Sequence, residues 1–136
     1  MSKPIPLGTR AQVEEIVTLE HTLTHRLSSL PPVLSTPNMI ELMEFACFRA
    51  AEPYCQGDEI TVGTAIHVEH LAATGVGALV KAEAVLASVA GKQYIFRVRA
   101  WDQHHEIGRG TVHRAFVSVG RFLKRVAAKT AASDQR

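Results

Sequence analysis

The chain has 136 residues, of which 46% are hydrophobic and 21% are charged, which fits one domain with a single core. The formal net charge is +2, and no run approaches the roughly 18 apolar residues of a membrane span, so we expect neither a nucleic-acid nor a membrane partner. Two cysteines without a CxxC pair exclude a disulfide scaffold, and we expect no metal and no cofactor. The start carries no targeting signal, so a cytoplasmic protein is expected.

The first predicted element is a strand over residues 11–19, which follows about eight residues that we expect to be loose. A stretch with three prolines comes next, and this stretch excludes a regular element up to Pro37. One helix then begins, and Pro53 ends it. Residues at helical spacing give this helix a continuous apolar stripe: Met39, Leu42, Met43, Ala46 and Ala50.

The start of the helix has two interpretations. Thr36 suits the N-cap position, and Pro37 suits the first helical position, where the missing N–H has no partner. Asn38 with Glu41 three residues later is a rival capping box. The sequence leaves the two open.

Beyond the helix the hydrophobic pattern changes from helical to alternating, which indicates strands. Four strands and a short closing helix are predicted, followed by about six loose residues: strands 60–71, 79–89, 94–101 and 107–119, and helix 121–129. One strand, one apolar helix and four antiparallel strands make an α+β domain. We therefore predict the hotdog fold, an antiparallel sheet wrapped around one long central helix, with a core over about residues 9–129.

Two titratable residues stand in apolar surroundings. Glu44 lies mid-helix with Ile40 and Phe48 one turn away on either side, although it could also lie on a stripe that faces water. His70 ends a row of alternate residues that we expect to point inward with Thr64, Ile66 and Val68. A hydrogen-bonded core histidine is the competing interpretation.

Arg114 and Thr36 complete a set of four reactive residues. Arg114 shares a strand face with Val112 and Phe116, so it either pairs with an acid or reaches a ligand phosphate. The N-cap function would account for Thr36 fully, but a helix start also offers N–H groups to a developing oxyanion. An acid, a histidine, a hydroxyl and an arginine in apolar surroundings suit acyl transfer.

Three segments carry a resemblance to a known family, in consistent order from about residue 30 to residue 119. They read STPNMIELMEFACFRAAEPY, GTAIHVEHLAATGVG and DQHHEIGRGTVHRAFV. They resemble the hotdog thioesterases related to fluoroacetyl-CoA thioesterase. The positions that match the family's catalytic set are Thr36, Glu44 and His70, and Arg114 matches an active-site arginine.

The resemblance implies a homodimer with acyl-CoA as substrate, whose two active sites lie at the subunit interface and use residues of both chains. It implies that Glu44, oriented by Thr36, acts as nucleophile or as general base, and that His70 activates water, protonates the leaving thiolate, or does both. The sequence chooses neither route, and it leaves open whether dimers pair into a tetramer.

The chain departs from the family at two substrate-binding positions. Leu30 stands where the fluoroacetyl enzyme has a phenylalanine lid, so fluorine selectivity does not follow, although Gly63 in the neighbouring recognition region is retained. Pro37 replaces a glycine, which removes one N–H donor and leaves Asn38 or a later residue to supply it.

The resemblance predicts hydrolysis of a short-chain acyl-CoA to the free acid and CoA. A non-catalytic acyl-CoA binding module would keep the groove and Arg114 without turnover. A hotdog hydratase or dehydratase would need an Asp/His pair in a hydratase-type loop, which the sequence lacks.

Overall fold

The computed structural model describes residues 4–134. Its eight principal elements are β1 (Arg10–Ile16), α1 (Leu23–Arg26), α2 (Thr36–Ala51), β2 (Glu59–His70), β3 (Leu79–Ala90), β4 (Gln93–Trp101), β5 (Glu106–Ser118) and α3 (Val119–Asp134). Short 3-10 turns precede α1 and follow α2. Within residues 4–134, no helix combines the length and the apolar character needed to cross a bilayer.

The five strands form one antiparallel sheet in the order β1-β3-β4-β5-β2. Helix α2 contacts all five strands, so the predicted hotdog arrangement is confirmed. Its stripe packs on the concave face because Met39, Met43 and Ala46 have no exposed surface. On β4 the alternating pattern that indicated a strand is realised, since Phe96 and Val98 are buried and Arg97 and Arg99 are exposed.

The sheet covers one side of α2 and leaves another side open, so it encloses the helix less fully than the predicted sheet wrapped around it. Glu41, Phe45 and Arg49 are exposed. The Phe45 ring stacks on Phe48, with centroids 6.1 Å apart, and carries the Arg49 guanidinium at 4.8 Å. An apolar and charged strip of the helix therefore faces away from the chain's own sheet.

Two predictions about α2 and β2 were wrong in detail. Ser35, not Thr36, is the N-cap, since its Oγ accepts the Asn38 N–H at 3.2 Å; Pro37 is therefore the second helical residue, and the Asn38–Glu41 capping box does not form. In β2 a bulge at Thr64 shifts the register. The bulge places Gly63 rather than Thr64 in the row with Ile66, opposite Arg114.

The ends of the chain are more ordered than expected. Ile5 is buried in the core, and the Gly8 N–H donates to Leu86 O at 2.9 Å. Helix α3 runs to Asp134, beyond the predicted end at residue 129, and its start is capped by Asp58, whose Oδ2 accepts the Gly120 N–H at 2.9 Å. The expectation of loose ends at residues 1–3 and 135–136 concerns positions outside the described residues. Strand β1 ends three residues early, at Ile16, and helix α1 was not predicted.

Candidate active site

The first turn of α2 meets the last residue of β2. Because Ser35 caps the helix, the hydroxyl of Thr36 is not used for capping, and Thr36 Oγ1 lies 2.8 Å from His70 Nδ1. The pair opens on a cleft lined by Leu23 on α1, by residues 33 and 34 before the helix, and by residues 71–73 after β2. A hydroxyl and an imidazole in hydrogen-bond contact form a proton-transfer pair.

The other ring nitrogen of His70 is buried. Among the residues that the structure describes, Nε2 has no hydrogen-bond partner. Buried polar atoms in proteins are almost always hydrogen-bonded, so the partner of Nε2 is expected from outside this chain. A substrate, a water molecule or a second subunit would supply it.

We expect the imidazole of His70 to stay neutral at neutral pH. Burial disfavours the charged ring and lowers the pKa of His70 below its ordinary value of 6.5, with a smaller opposing effect from the backbone of Ala72. In an NMR titration, the ring signal that disappears in His70→Asn should shift with a midpoint below 6.5. A midpoint above 6.5 would contradict this environment.

The same pKa shift links the protonation of His70 to stability. The unfolded chain binds the proton at higher pH than the folded chain does. The contribution of His70 to stability is therefore fully present above pH 6.5 and is lost as the pH falls through the lowered pKa.

Glu44 lies in the middle of α2 beside Arg114 on β5. The Glu44 side chain is 33% exposed, and its Oε1 lies 4.0 Å from the guanidinium of Arg114, whose own side chain is only 7% exposed. Three hydrogen bonds join Arg114 to Thr61: Nη2 donates to the carbonyl oxygen at 2.7 Å and to the hydroxyl at 3.1 Å, and Nε donates to the hydroxyl at 3.3 Å. Thr61 thus fixes the guanidinium from one side, and the charge of Arg114 lies beside Glu44; pairing with an acid was one of the two alternatives that the pattern on β5 left open.

Gly63 makes room for the Glu44 carboxylate. A Cβ at position 63 would overlap Glu44 Oε1 and would lie 3.5 Å from Arg114 Nη1. The carboxylate therefore rests against the bare backbone of β2, which explains the need for glycine there without any unusual backbone angle.

We expect Gly63→Ala to displace the Glu44 carboxylate and to lower kcat about tenfold or more, since small misplacements of reacting groups are costly. The overlapping atom is the end of a flexible side chain, so the fold should survive. Steady-state kinetics and thermal unfolding would measure both effects. Gly75→Ala is the matched control because a Cβ there meets nothing within 4 Å, and equal kcat values in the two variants would contradict the expectation.

One chain does not bring its own Glu44 to its own Thr36 and His70. Glu44 is eight residues beyond Thr36 on α2, which corresponds to about 12 Å along the helix axis. The two groups open on separate clefts, and the cleft at Glu44 is lined by Glu41, Phe45, Phe48 and Arg114. The reactive set is therefore divided into two halves within the chain.

The structure places the remaining predicted residues outside these halves. The Asn38 side-chain amide donates to Ser35 Oγ at 2.7 Å, so this amide is engaged in the cap. Leu30 lies on the loop before α2, 37% exposed, and is not part of the Thr36–His70 cleft lining. Its carbonyl accepts from the Thr24 hydroxyl at 2.6 Å.

Sequence reasoning did not identify Ser35 or Thr61 as contributors to the site. Ser35 precedes another good N-cap residue, and Pro37 favoured Thr36 as the cap because proline suits the first helical position. Thr61 is directly opposite Phe116 in the register, and counting by twos from His70 would have placed it on the outward face, because the count does not include the bulge at Thr64.

The Cys47 thiol is buried in the core beside this site. Burial raises the pKa of the Cys47 thiol to about 12, although the charge of Arg114 acts in the opposite direction, so the thiolate nucleophile is not accessible at neutral pH. Within residues 4–134, no three His, Cys, Asp or Glu side chains are grouped to hold a metal ion.

Comparison with known proteins identifies similar folds and sequences. The model of the FlK family, fluoroacetyl-CoA-specific thioesterase, matches residues 17–120. The chain is 38% identical over 138 residues to the fluoroacetyl-CoA thioesterase of Streptantibioticus cattleyicolor, covering 97% of this chain and 99% of that one.

Two solved structures extend the likeness to three dimensions. A variant of FlK in complex with acetyl-CoA is 37% identical with a TM-score of 0.88, covering 92% of this chain and 98% of that chain. A hotdog-like protein from Thermanaerovibrio acidaminovorans is 25% identical with a TM-score of 0.82, covering 92% of this chain and 93% of that chain.

Proposed function

The chain belongs to the fluoroacetyl-CoA-specific thioesterase family and is a thioester hydrolase, and on that premise we propose that its substrate is a short-chain acyl-CoA, including substituted acetyl-CoA, which it converts to the free acid and CoA. The observation that carries the proposal is the contact between Thr36 Oγ1 and His70 Nδ1 at 2.8 Å beside the start of α2. His70 lines the cleft, and its Nε2 is buried without a partner within the described residues. We assign the imidazole to the incoming water or the leaving thiolate, a contact that requires the ring to turn or the cleft to open.

In the proposed reaction Glu44 and Arg114 form one half of the site, and Thr36 and His70 form the other. Arg114 places a positive charge 4.0 Å from Glu44 Oε1. The Glu44 carboxylate either attacks the thioester carbonyl carbon or accepts a proton from the attacking water. Both routes break the C–S bond, and the thiolate of CoA leaves with a proton delivered by His70. In the nucleophilic route water then hydrolyses the acyl–Glu44 anhydride, which frees the acid and the carboxylate, and the proton of that water returns to His70. In the general-base route Glu44 takes the proton of the attacking water and passes it on to His70.

We propose that the enzyme is a homodimer whose two sites lie between the subunits, each joining Glu44 of one chain to the Thr36–His70 pair of the other. The supporting observation is the separation of the two halves within one chain by two helical turns. Exposed apolar residues surround both halves: Phe45 at 42%, Ile66 at 36% and Leu71 at 43%. Apolar surface of this kind beside a cleft is typical of a protein interface.

Strand β2 offers the edge along which the two chains would join. It is the last strand of the sheet, it has 12 residues, and it carries both Gly63 and His70. A long edge strand of this kind presents unpaired N–H and C=O groups that a second copy can pair with. Size-exclusion chromatography with light scattering would give the oligomer, a dimer being expected and a tetramer requiring a second contact.

We propose a cytoplasmic location, which the free thiols of Cys47 and Cys55 support. Leu30 replaces a phenylalanine at the lid position, so we expect no strong preference for the fluorinated over the unfluorinated acetyl group.

The experiment that tests the function is thiol release from a panel of acyl-CoAs. Acetyl-, fluoroacetyl-, propionyl-, butyryl- and octanoyl-CoA would be compared by kcat/KM. The proposal expects turnover above the uncatalysed rate for the short-chain members. Turnover confined to octanoyl-CoA, or no turnover at all, would reject the short-chain assignment.

A further inference from the structure

A buried threonine ties the loop after β2 to the turn between β4 and β5. Thr74 is only 3% exposed, so its hydroxyl needs a partner within the protein. It donates to Asp102 Oδ2 at 3.1 Å. This contact crosses from the segment that follows His70 to a turn that touches neither Thr36 nor His70.

Asp102 is held by three donors. Its Oδ1 accepts the backbone N–H groups of His104 and His105, both at 2.8 Å, while Oδ2 accepts from Thr74. Burial raises the pKa of Asp102, but these three hydrogen bonds together outweigh burial and hold the pKa below its ordinary value. The carboxylate therefore stays ionised and acts as a fixed acceptor between the turn and the loop.

The backbone of Thr74 contacts the segment that leads to Thr36, the other member of the Thr36–His70 pair. Its carbonyl accepts the Leu34 N–H at 2.8 Å, two residues before Thr36. On the side of the histidine, the Leu71 N–H donates to Ile107 O at 2.7 Å and extends the β2 ladder one residue past His70. Thr74 thus joins the segment that leads into α2 to the segment that follows β2.

We propose that Asp102 and Thr74 are positioning residues, which hold the start of α2 against the end of β2 and so set the separation of Thr36 Oγ1 and His70 Nδ1. The inference rests on the proposed function, because its consequence is a rate of thioester hydrolysis. Neither residue belongs to the cleft lining, so both act through the pair they position. Their effect should fall on kcat rather than on KM, since a small misplacement of reacting groups weakens the chemical step.

The test uses substitutions that remove or weaken the hydrogen bond between Thr74 and Asp102. Thr74→Val keeps the shape and loses the hydroxyl, and Thr74→Ser keeps the hydroxyl. Asp102→Asn leaves an oxygen for the two backbone N–H groups, but its NH₂ can only donate to the Thr74 hydroxyl, so the charge-assisted bond from Thr74 is replaced by a weaker neutral one. We expect Thr74→Val and Asp102→Asn each to lower kcat about tenfold with KM within about twofold of wild type, and Thr74→Ser to recover most of the rate.

A double variant separates the proposed contact from general damage. If Thr74 and Asp102 act through one bond, Thr74→Val with Asp102→Asn should be no slower than either single variant. Asp58→Asn is the matched control, because Asp58 also accepts from a backbone N–H, that of Gly120, and from a hydroxyl, that of Ser118. It should lose thermal stability comparably and keep kcat.

The titration of His70 by NMR supplies a readout independent of turnover. As the cleft loosens and the ring gains water, its midpoint should move towards 6.5 in Thr74→Val and stay unchanged in Asp58→Asn. Wild-type kcat in both Thr74→Val and Asp102→Asn, with an unmoved His70 midpoint, would overturn the proposal. If the wild-type protein hydrolysed no acyl-CoA, the proposed function would fail, while the shift in the His70 midpoint would still decide the positioning.

Discussion

Glu44→Gln is expected to lower kcat for acyl-CoA hydrolysis by at least about a hundredfold, and His70→Asn by a similar factor, since a positioned acid–base group contributes on this order. Glutamine keeps the shape beside Arg114 but neither attacks a thioester nor takes a proton. Asparagine keeps a polar group near Thr36 but has no titrating nitrogen. Thiol release under saturating acyl-CoA would measure both losses.

The two variants should show further signatures of a shared step. Combining residues that act as one unit costs little more than losing one of them, so the double variant should be about as slow as either single variant. Glu52→Gln is the control for Glu44→Gln, because Glu52 follows the same helix and pairs with Arg49 at 2.8 Å on an exposed surface. Glu44→Gln with wild-type kcat would remove the carboxylate from the mechanism.

Much of the fold could be predicted from the spacing of hydrophobic residues, because an element that is buried on one side has hydrophobic residues at a regular interval. The strand pattern at residues 94–101 gives buried Phe96 and Val98 against exposed Arg97 and Arg99, and the helical stripe at Met39 and Met43 is buried as predicted. These patterns depend on neighbours along one element, and the sequence contains that information. The ends of β2, β3, β4 and β5 were accordingly predicted to within one residue.

The site was less accessible to sequence reasoning because it depends on contacts between elements. Counting by twos assigned Thr64 to the inward row, but the bulge at Thr64 gives that place to Gly63, and bulges leave little trace in a hydrophobic pattern. Ser35 and Thr36 are both good N-caps, and the contact of Thr36 with His70 34 residues later decides between them. The eight-residue spacing of Thr36 and Glu44 could be counted in the sequence, but which residues line the cleft at each of them is known only from the structure.

Mixing two inactive variants is expected to restore activity if each site is shared between subunits. A Glu44→Gln homodimer has no intact site, and neither has a His70→Asn homodimer. In a mixed dimer, one site carries both substitutions and the other carries none, because Glu44 and His70 of a given site come from different chains. Equal, random mixing gives about half mixed dimers with one working site each, so the mixture should reach about a quarter of wild-type activity per chain.

A control pair of variants shows whether the recovery of activity depends on Glu44 and His70 coming from different chains. Thr36 and His70 contact each other within one chain, so Thr36→Val mixed with His70→Asn leaves every site with at least one damaged member and should stay inactive.

Co-expression of Glu44→Gln and His70→Asn with two different affinity tags, followed by sequential purification, would isolate the mixed dimers. The result would then not depend on how fast subunits exchange between homodimers. Isolated mixed dimers of Glu44→Gln and His70→Asn should then show about half of wild-type activity. If they stayed as slow as the parent homodimers, each site would have to draw Glu44 and His70 from the same chain. Helix α2 would then have to change shape on binding, since it holds Thr36 and Glu44 about 12 Å apart along its axis.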